Sequence, residues 1–242
     1  MGKNLITQKR GKGSFTYRAH SHRWKGRISH KIYDTNEKNN LVRGRITNLI
    51  HCGGHNAPLA EITYENGETI LIAAPMNVRL DETIETGINA SIKNGNTLPL
   101  KSIPEGTLIC NIESQPGKNS FCRSAGSFGR VLGRFEDHVV IELPSKKQKS
   151  LNPYCRATIG IIAGSGKKDK PFVKAGKKHH VARAKGKLYP KTSGVAMNAV
   201  DHPFGSGRGK HVGKPKTPPK FAPPGRNIGL IRARRTGRGK KS

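Results

Sequence analysis

Asp201 and His202 stand side by side in residues 195–207 (VAMNAVDHPFGSG), a stretch almost without charge inside a strongly basic region. A carboxylate beside an imidazole is the raw material of acid–base chemistry. Adjacent residues on extended backbone, however, point to opposite sides, and no nucleophile that such a pair could activate accompanies them. Gly164-Ser165-Gly166-Lys167 follows a candidate strand, as a phosphate-cradling loop should. That loop needs Gly at 161 and Ser or Thr at 168, where Ile161 and Lys168 stand. Cys52 and His55 have ligand-like spacing, but a closed zinc site takes four ligands and no second pair is evident, so metal binding there is left open. The expectation is a protein that is not an enzyme, with no catalytic residue and no assigned metal ligand.

Anion binding is the chemistry this chain supplies in quantity. Residues 18–31 (RAHSHRWKGRISHK) interleave cations with His20, His22, Trp24 and His30. Arginine and lysine neutralise phosphates, while flat rings stack on unpaired bases. The alternative for this stretch is a flexible basic tail such as a localisation signal; a tryptophan among the charges favours RNA. Residues 174–180 (KAGKKHH) and 232–241 (RARRTGRGKK) are further cationic runs, which by themselves do not separate RNA from DNA. Between them Asn198, Asp201 and His202 offer directional hydrogen bonds, and Pro203, Gly205 and Gly207 set a turn. On composition alone, a plain connecting loop competes with that reading.

The elements that must position these groups read as β. Residues 41–50 (LVRGRITNLI) are a strand candidate, followed by LAEITY and ETILIAAP around Glu65-Asn66-Gly67, the pattern of a hairpin. Ile62 and Tyr64 share one face of their strand, as Ile70 and Ile72 do on the next. A second series follows at 83–92, 108–112, 127–134, 138–143 and 155–162, with turn residues between. No long stretch carries clean helical periodicity with caps. Short, regularly spaced strands predict one or two small barrels.

Charge marks the boundaries. Residues 1–31 hold nine Lys/Arg and no acid, residues 32–166 fourteen basic against thirteen acidic residues, and residues 167–242 twenty-two against two, within a net +30. A balanced middle with two cationic arms predicts a polyanionic partner that the arms enter or wrap. The last block also carries eleven Gly and eight Pro, the composition of an extension that conforms to a partner rather than folding on itself. Only 33% of the chain is hydrophobic, so part of its order is expected to come from that partner. The lack of a long apolar run and the four scattered cysteines predict a soluble intracellular protein with reduced thiols.

VAMNAVDHPFGSGRGKH at 195–211 resembles the signature of the universal ribosomal protein L2 family of the large subunit. Further matches run in the same order: SHR at 21–23, APLA at 57–60, GNTLPL at 95–100, IPEGT at 103–107 and CNIESQPG at 110–117. They continue with RSAG at 123–126, CRATIG at 155–160, KPFVKAGKKHH at 170–180, APPGR at 222–226 and RRTGRG at 234–239. KPFVKAG, and Phe204 where bacterial members usually have a second His, resemble the archaeal or eukaryotic branch, and the short, uninterrupted length favours the archaeal one. The loop His51-Cys52-Gly53-Gly54-His55 departs from the family pattern.

The resemblance implies an all-β fold, an OB-fold-like barrel followed by an SH3-like barrel with long basic N- and C-terminal extensions. The implied division is an N-terminal extension at 1–36, an OB-fold-like RNA-binding domain at 37–85, an SH3-like barrel at 86–166 and a Gly/Pro-rich basic extension at 167–242. It implies a cytoplasmic, structural component of the large ribosomal subunit and a primary 23S rRNA binder. Such a protein supports subunit association, tRNA binding and the architecture around the peptidyl transferase centre, with His202 organising RNA. The implied protein partners are neighbouring large-subunit proteins and the small subunit; no homo-oligomer, no membrane and no cofactor are expected, structural magnesium shared with rRNA aside. The candidate RNA-binding residues are Arg18, His22, Arg23, Trp24, Lys25, Lys174, Lys177, Lys178, His179, His180, Asn198, Asp201, His202, Arg208, Lys210, Arg226, Arg232, Arg234, Arg235 and Arg238.

Overall fold

Alternation of apolar and polar side chains builds the first strands. In the computed structural model, which describes residues 2–167, 169–207 and 211–233, β1 (Leu41–Ile50) turns Gly44 and Ile46 inward. β2 (Leu59–Tyr64) pairs antiparallel with β1 and with β3 (Thr69–Ala73), and β4 (Thr83–Gly87) pairs antiparallel with the other edge of β1. The β2–β3 connection is a three-residue turn: the Tyr64 N–H donates to Glu68 O at 3.0 Å and the Gly67 N–H to Tyr64 O at 2.9 Å. Gly67 takes φ +80°, the left-handed position such a turn requires. Asn66 instead uses its side chain, whose Oδ1 accepts from the Glu68 N–H at 3.1 Å.

The second series comprises β5 (Thr97–Pro99), β6 (Leu108–Cys110), β7 (Ile112–Gln115), β8 (Lys118–Phe121), β9 (Gly129–Arg134), β10 (Val139–Glu142), β11 (Gln148–Leu151) and β12 (Arg156–Ile159). β7 and β8 pair, among the described residues, only with each other. Among the described residues the other strands join in one sheet, in the order β11-β10-β9-β6-β12-β5-β4-β1-β2-β3. The two series meet at the parallel neighbours β4 and β5, through the pair Thr86↔Thr97. The fold is mostly β, as the sequence predicts.

Two apolar clusters form, and the larger draws on both series, since Leu59 of β2 and Ala73 of β3 join it. Ile46, Ile62, Tyr64, Ile70, Ile72 and Ile84 form one cluster. Leu98, Leu100, Ile103, Ile109, Ile112, Val131, Ile141 and Leu151 belong to the other, larger one. Each fully buried aliphatic side chain is worth about 1.5–3 kcal/mol relative to exposure.

Three short helices accompany the strands among the described residues: α1 (Ile6–Gly11), α2 (Thr35–Asn39) and α3 (Ala175–Ala184). α3 falls where helical periodicity is absent, and the structure explains why. None of its residues is buried, so it presents no apolar stripe, and no side chain caps its N-terminus. It forms from residues of good intrinsic propensity, Ala, Lys and Arg. Among the described residues no helix is long and apolar enough to cross a membrane. The chain divides into two units, Ser21–Val173 and the described residues of Met1–His20 with Lys174–Ser242. The two arms, far apart in sequence, thus pack on each other.

Candidate RNA interface

In the unit made by the two arms, α3 carries Lys177, Lys178, His179 and His180, all exposed, with Lys174 at its N-cap position. Cations in a first turn oppose the helix dipole, and α3 has no acidic residue there to offset them. Their placement therefore costs the helix stability and suits an external anion. Arg10 of α1 donates through Nη2 to the Gly186 carbonyl just beyond α3, and its guanidinium lies 5.7 Å from the Tyr17 ring centroid. Between these segments opens a cavity of about 390 Å³. Arg10, Arg18, Arg183 and Lys187 line it together with His20 and His179, and Phe15, Tyr17 and Tyr189 supply rings; no carboxylate lines it. Phosphate charge and base faces are the complementary chemistry.

The turn around His202 lies in the same unit. Backbone N–H groups of Asp201 and His202 both donate to Asn198 O, at 3.0 and 3.2 Å, and the Gly205 N–H donates to His202 O at 2.8 Å. The Phe204 N–H donates to His202 Nδ1 at 3.0 Å, which places the ring proton on Nε2. Burial holds His202 below the ordinary histidine value, so the imidazole is neutral at physiological pH. Gly194 lies flat against the ring, and a Cβ there would overlap it. Asp201 faces away, its carboxylate 3.7 Å from Lys3 Nζ. The structure therefore separates the two side chains: His202 is a fixed, neutral hydrogen-bond donor, and Asp201 an ion-pair partner.

In the β unit, His22 and Arg23 sit in a 3₁₀ turn, Ser21–Arg23, and with Lys25 they are exposed. Trp24 is 36% exposed and lies over Gly54 of the divergent loop, its ring centroid 6.2 Å from that of His55. A Cβ at Gly54 would collide with the indole, so Gly54 is what lets Trp24 settle there. Cys52 and His55 do meet, with Sγ 3.2 Å from Nδ1. Among the described residues, however, no group of three His, Cys, Asp or Glu could hold a metal.

Arg18, Asn198, Arg226 and Arg232 are exposed, while Asp201 and His202 are half-buried. Arg208, Lys210, Arg234, Arg235 and Arg238 lie outside the described residues. Arg10, Phe15, Tyr17, Arg183 and Tyr189 were not among the sequence candidates. FTYR at 15–18 carries a readable signal, rings beside an arginine, whereas Arg183 and Tyr189 join the site only through the fold of α3 and the segment after it.

The family model for the C-terminal domain of ribosomal proteins L2 matches residues 93–221. The chain is 51% identical over 239 residues to the large ribosomal subunit protein uL2 of Methanothermobacter thermautotrophicus, covering 98% of this chain and 99% of that protein. The chain belongs to the L2 (uL2) family. Over 240 residues it is 49% identical to the uL2 protein of Methanopyrus kandleri, covering 99% of each, and 48% identical to that of Haloquadratum walsbyi, covering 99% of this chain and 98% of the relative. These relatives are archaeal, the branch that the short length favours between the two that Phe204 and KPFVKAG resemble. The L2 proteins are ribosomal structural proteins, not enzymes. The L2 C-terminal model spans the second strand series, α3 and the His202 turn together.

Proposed function

We propose that this protein is a structural component of the large ribosomal subunit that binds 23S rRNA directly, with its two arms acting as one rRNA-binding unit. The observation that carries this reading is the pocket of four Lys/Arg, two histidines and three aromatic rings, without a carboxylate, assembled from both arms. Cations gathered so closely repel one another, and a polyanion relieves that repulsion while releasing its own counterions. The exposed cations Arg18, Lys174, Lys177, Lys178, Arg226 and Arg232 of the same unit offer further charge to phosphates. His202, neutral and fixed, donates a hydrogen bond to RNA near the peptidyl transferase region and thereby shapes it; transfer chemistry belongs to the RNA. The single parallel pair Thr86↔Thr97 at which the two strand series join supports an OB-fold-like domain at 37–85 and an SH3-like barrel at 86–166. Support for subunit association and tRNA binding follows from that placement, with neighbouring large-subunit proteins and the small subunit as further partners.

Density-gradient sedimentation of cell extract tests the placement. The protein is expected to travel with the large subunit and to be released when RNase degrades the particle. Sedimentation at the position of a free protein before RNase treatment contradicts it.

A further inference from the structure

The middle block of the chain is nearly neutral, yet a cleft of about 730 Å³ on the β unit carries a local positive charge. It lies where the two strand series meet, between α2, the segment after β4, the end of β5 and the residue pair that precedes β12. Tyr33 and Tyr154 wall it, Lys38 and Lys101 stand at those rings, and Asn39 and Asn89 add amides; no carboxylate lines it. Lys101 Nζ is 4.4 Å from the Tyr154 ring centroid and Lys38 Nζ 5.2 Å from that of Tyr33. Neither lysine forms an ion pair among the described residues. Glu37 and Glu113, whose charges act on Tyr33, are committed to Arg156, whose guanidinium is itself 4.6 Å from the Tyr33 centroid, and neighbouring Asp34 pairs with Lys31. Tyr33 is therefore fixed by a buried cluster, and this wall of the cleft is formed in advance.

We propose that this cleft holds one unstacked ribonucleotide, a second RNA contact separate from the arms. The tyrosine faces take the base, the two ammonium groups take the flanking phosphates, and the Asn39 and Asn89 amides, each with a donor and an acceptor, take the base edge. An acidic peptide would satisfy the lysines but would leave the rings and the amides without their complementary partners. The proposal rests on the reading of the chain as an RNA binder, and the experiment separates the two.

Lysine reactivity toward acetic anhydride is measured by mass spectrometry on the full chain, free and bound to protein-free 23S rRNA. Lys38 and Lys101 are expected to become protected together with Lys177 and Lys178 of α3. Tyr154→Ala, at a side chain 52% exposed and thus outside the core, is expected to lower occupancy of the cleft roughly 5- to 150-fold. It re-exposes Lys38 and Lys101 while leaving the α3 lysines protected and the melting temperature unchanged. Protection of the α3 lysines with Lys38 and Lys101 still reactive overturns the cleft alone. Protection that arises only when other large-subunit proteins are added also overturns it, in favour of a peptide occupant. If no lysine is protected by rRNA, the RNA-binding reading itself fails.

Discussion

Replacing Arg156 with leucine lowers the stability of the β unit by about 3–5 kcal/mol, the cost of breaking a buried ion pair from one side. Arg156 lies on β12 with its side chain 1% exposed, and the side chains of Glu37 and Glu113 that flank it are 0% exposed. Nη1 donates to both carboxylate oxygens of Glu37 at 2.8 Å, while Nη2 and Nε donate to Glu113 Oε1 at 2.7 and 3.1 Å. The Arg156 backbone N–H completes the set with Glu113 Oε2 at 2.9 Å. Burial opposes the charge on Arg156, but the hydrogen bonds and charges of Glu113 and Glu37 outweigh it and hold the guanidinium above its ordinary value. Without it, two carboxylates remain buried with no counter-ion, and burial already pushes Glu37 up. Because Glu37 is the buried residue of α2, the leucine variant also loosens that helix. Urea denaturation measures the loss; a change below about 1 kcal/mol contradicts a structural role for the pair. Exchanging all three residues for apolar ones recovers much of the loss, since a well-packed apolar substitute can match a buried ion triad.

Acidification destabilises the fold through His30. Its ring is buried, with Nε2 2.6 Å from the Asn111 carbonyl, so Nε2 carries the proton and donates. Burial, and then the positive charge of Arg156, lowers its pKa from 6.5 to about 4, against a smaller opposing pull from Glu113 and the Asn111 hydrogen bond. In the unfolded chain the imidazole takes up its second proton near pH 6.5, while the folded chain resists until about pH 4. Stability therefore falls as pH drops through that window, by about 3 kcal/mol in all, and is unaffected by this group above it. Glu37, raised by burial, acts in the opposite direction as its carboxylate protonates. The comparison that isolates His30 is the pH dependence of the native chain minus that of His30→Gln. The difference is expected to grow from pH 7 to pH 4; parallel curves contradict it.

His30, read from the sequence among the rings that stack on bases, is instead buried against the Asn111 carbonyl, and Arg156 could not be singled out at all, for a physical reason. Arg156 sits in CRATIG, where four consecutive strand residues are buried and no alternation distinguishes the arginine. Its partners come from 119 and 43 residues away, a convergence only the topology creates. β11 escaped notice for a similar reason: three of its four residues are exposed and polar, so as an edge strand it lacks the two-residue period. The first hairpin was legible because Glu65-Asn66-Gly67 encodes its turn locally. The charge layout revealed two cationic arms, but not that α1 and the segment behind it pack against α3 to form one pocket. That pocket depends on pairing across more than 160 residues, as in the contact of Arg10 with Gly186. The Trp24–Gly54 contact shows the converse: the unusual HCGGH loop was visible as a departure, and its reason became clear only with the indole in place.

The central claim, that the joined arms recognise folded rRNA and do not merely attract any polyanion, is tested most directly by competition. The full chain is bound to a labelled 23S rRNA fragment and challenged with unlabelled duplex DNA or the same rRNA fragment, at equal phosphate concentration and matched salt. Charge neutralisation alone makes both competitors equivalent, because counterion release does not read sequence or shape. A site with ring faces for unpaired bases and a fixed neutral imidazole favours RNA. Displacement by the rRNA fragment at a concentration at which duplex DNA leaves the complex intact is the expected result. Equal or better displacement by duplex DNA contradicts the account.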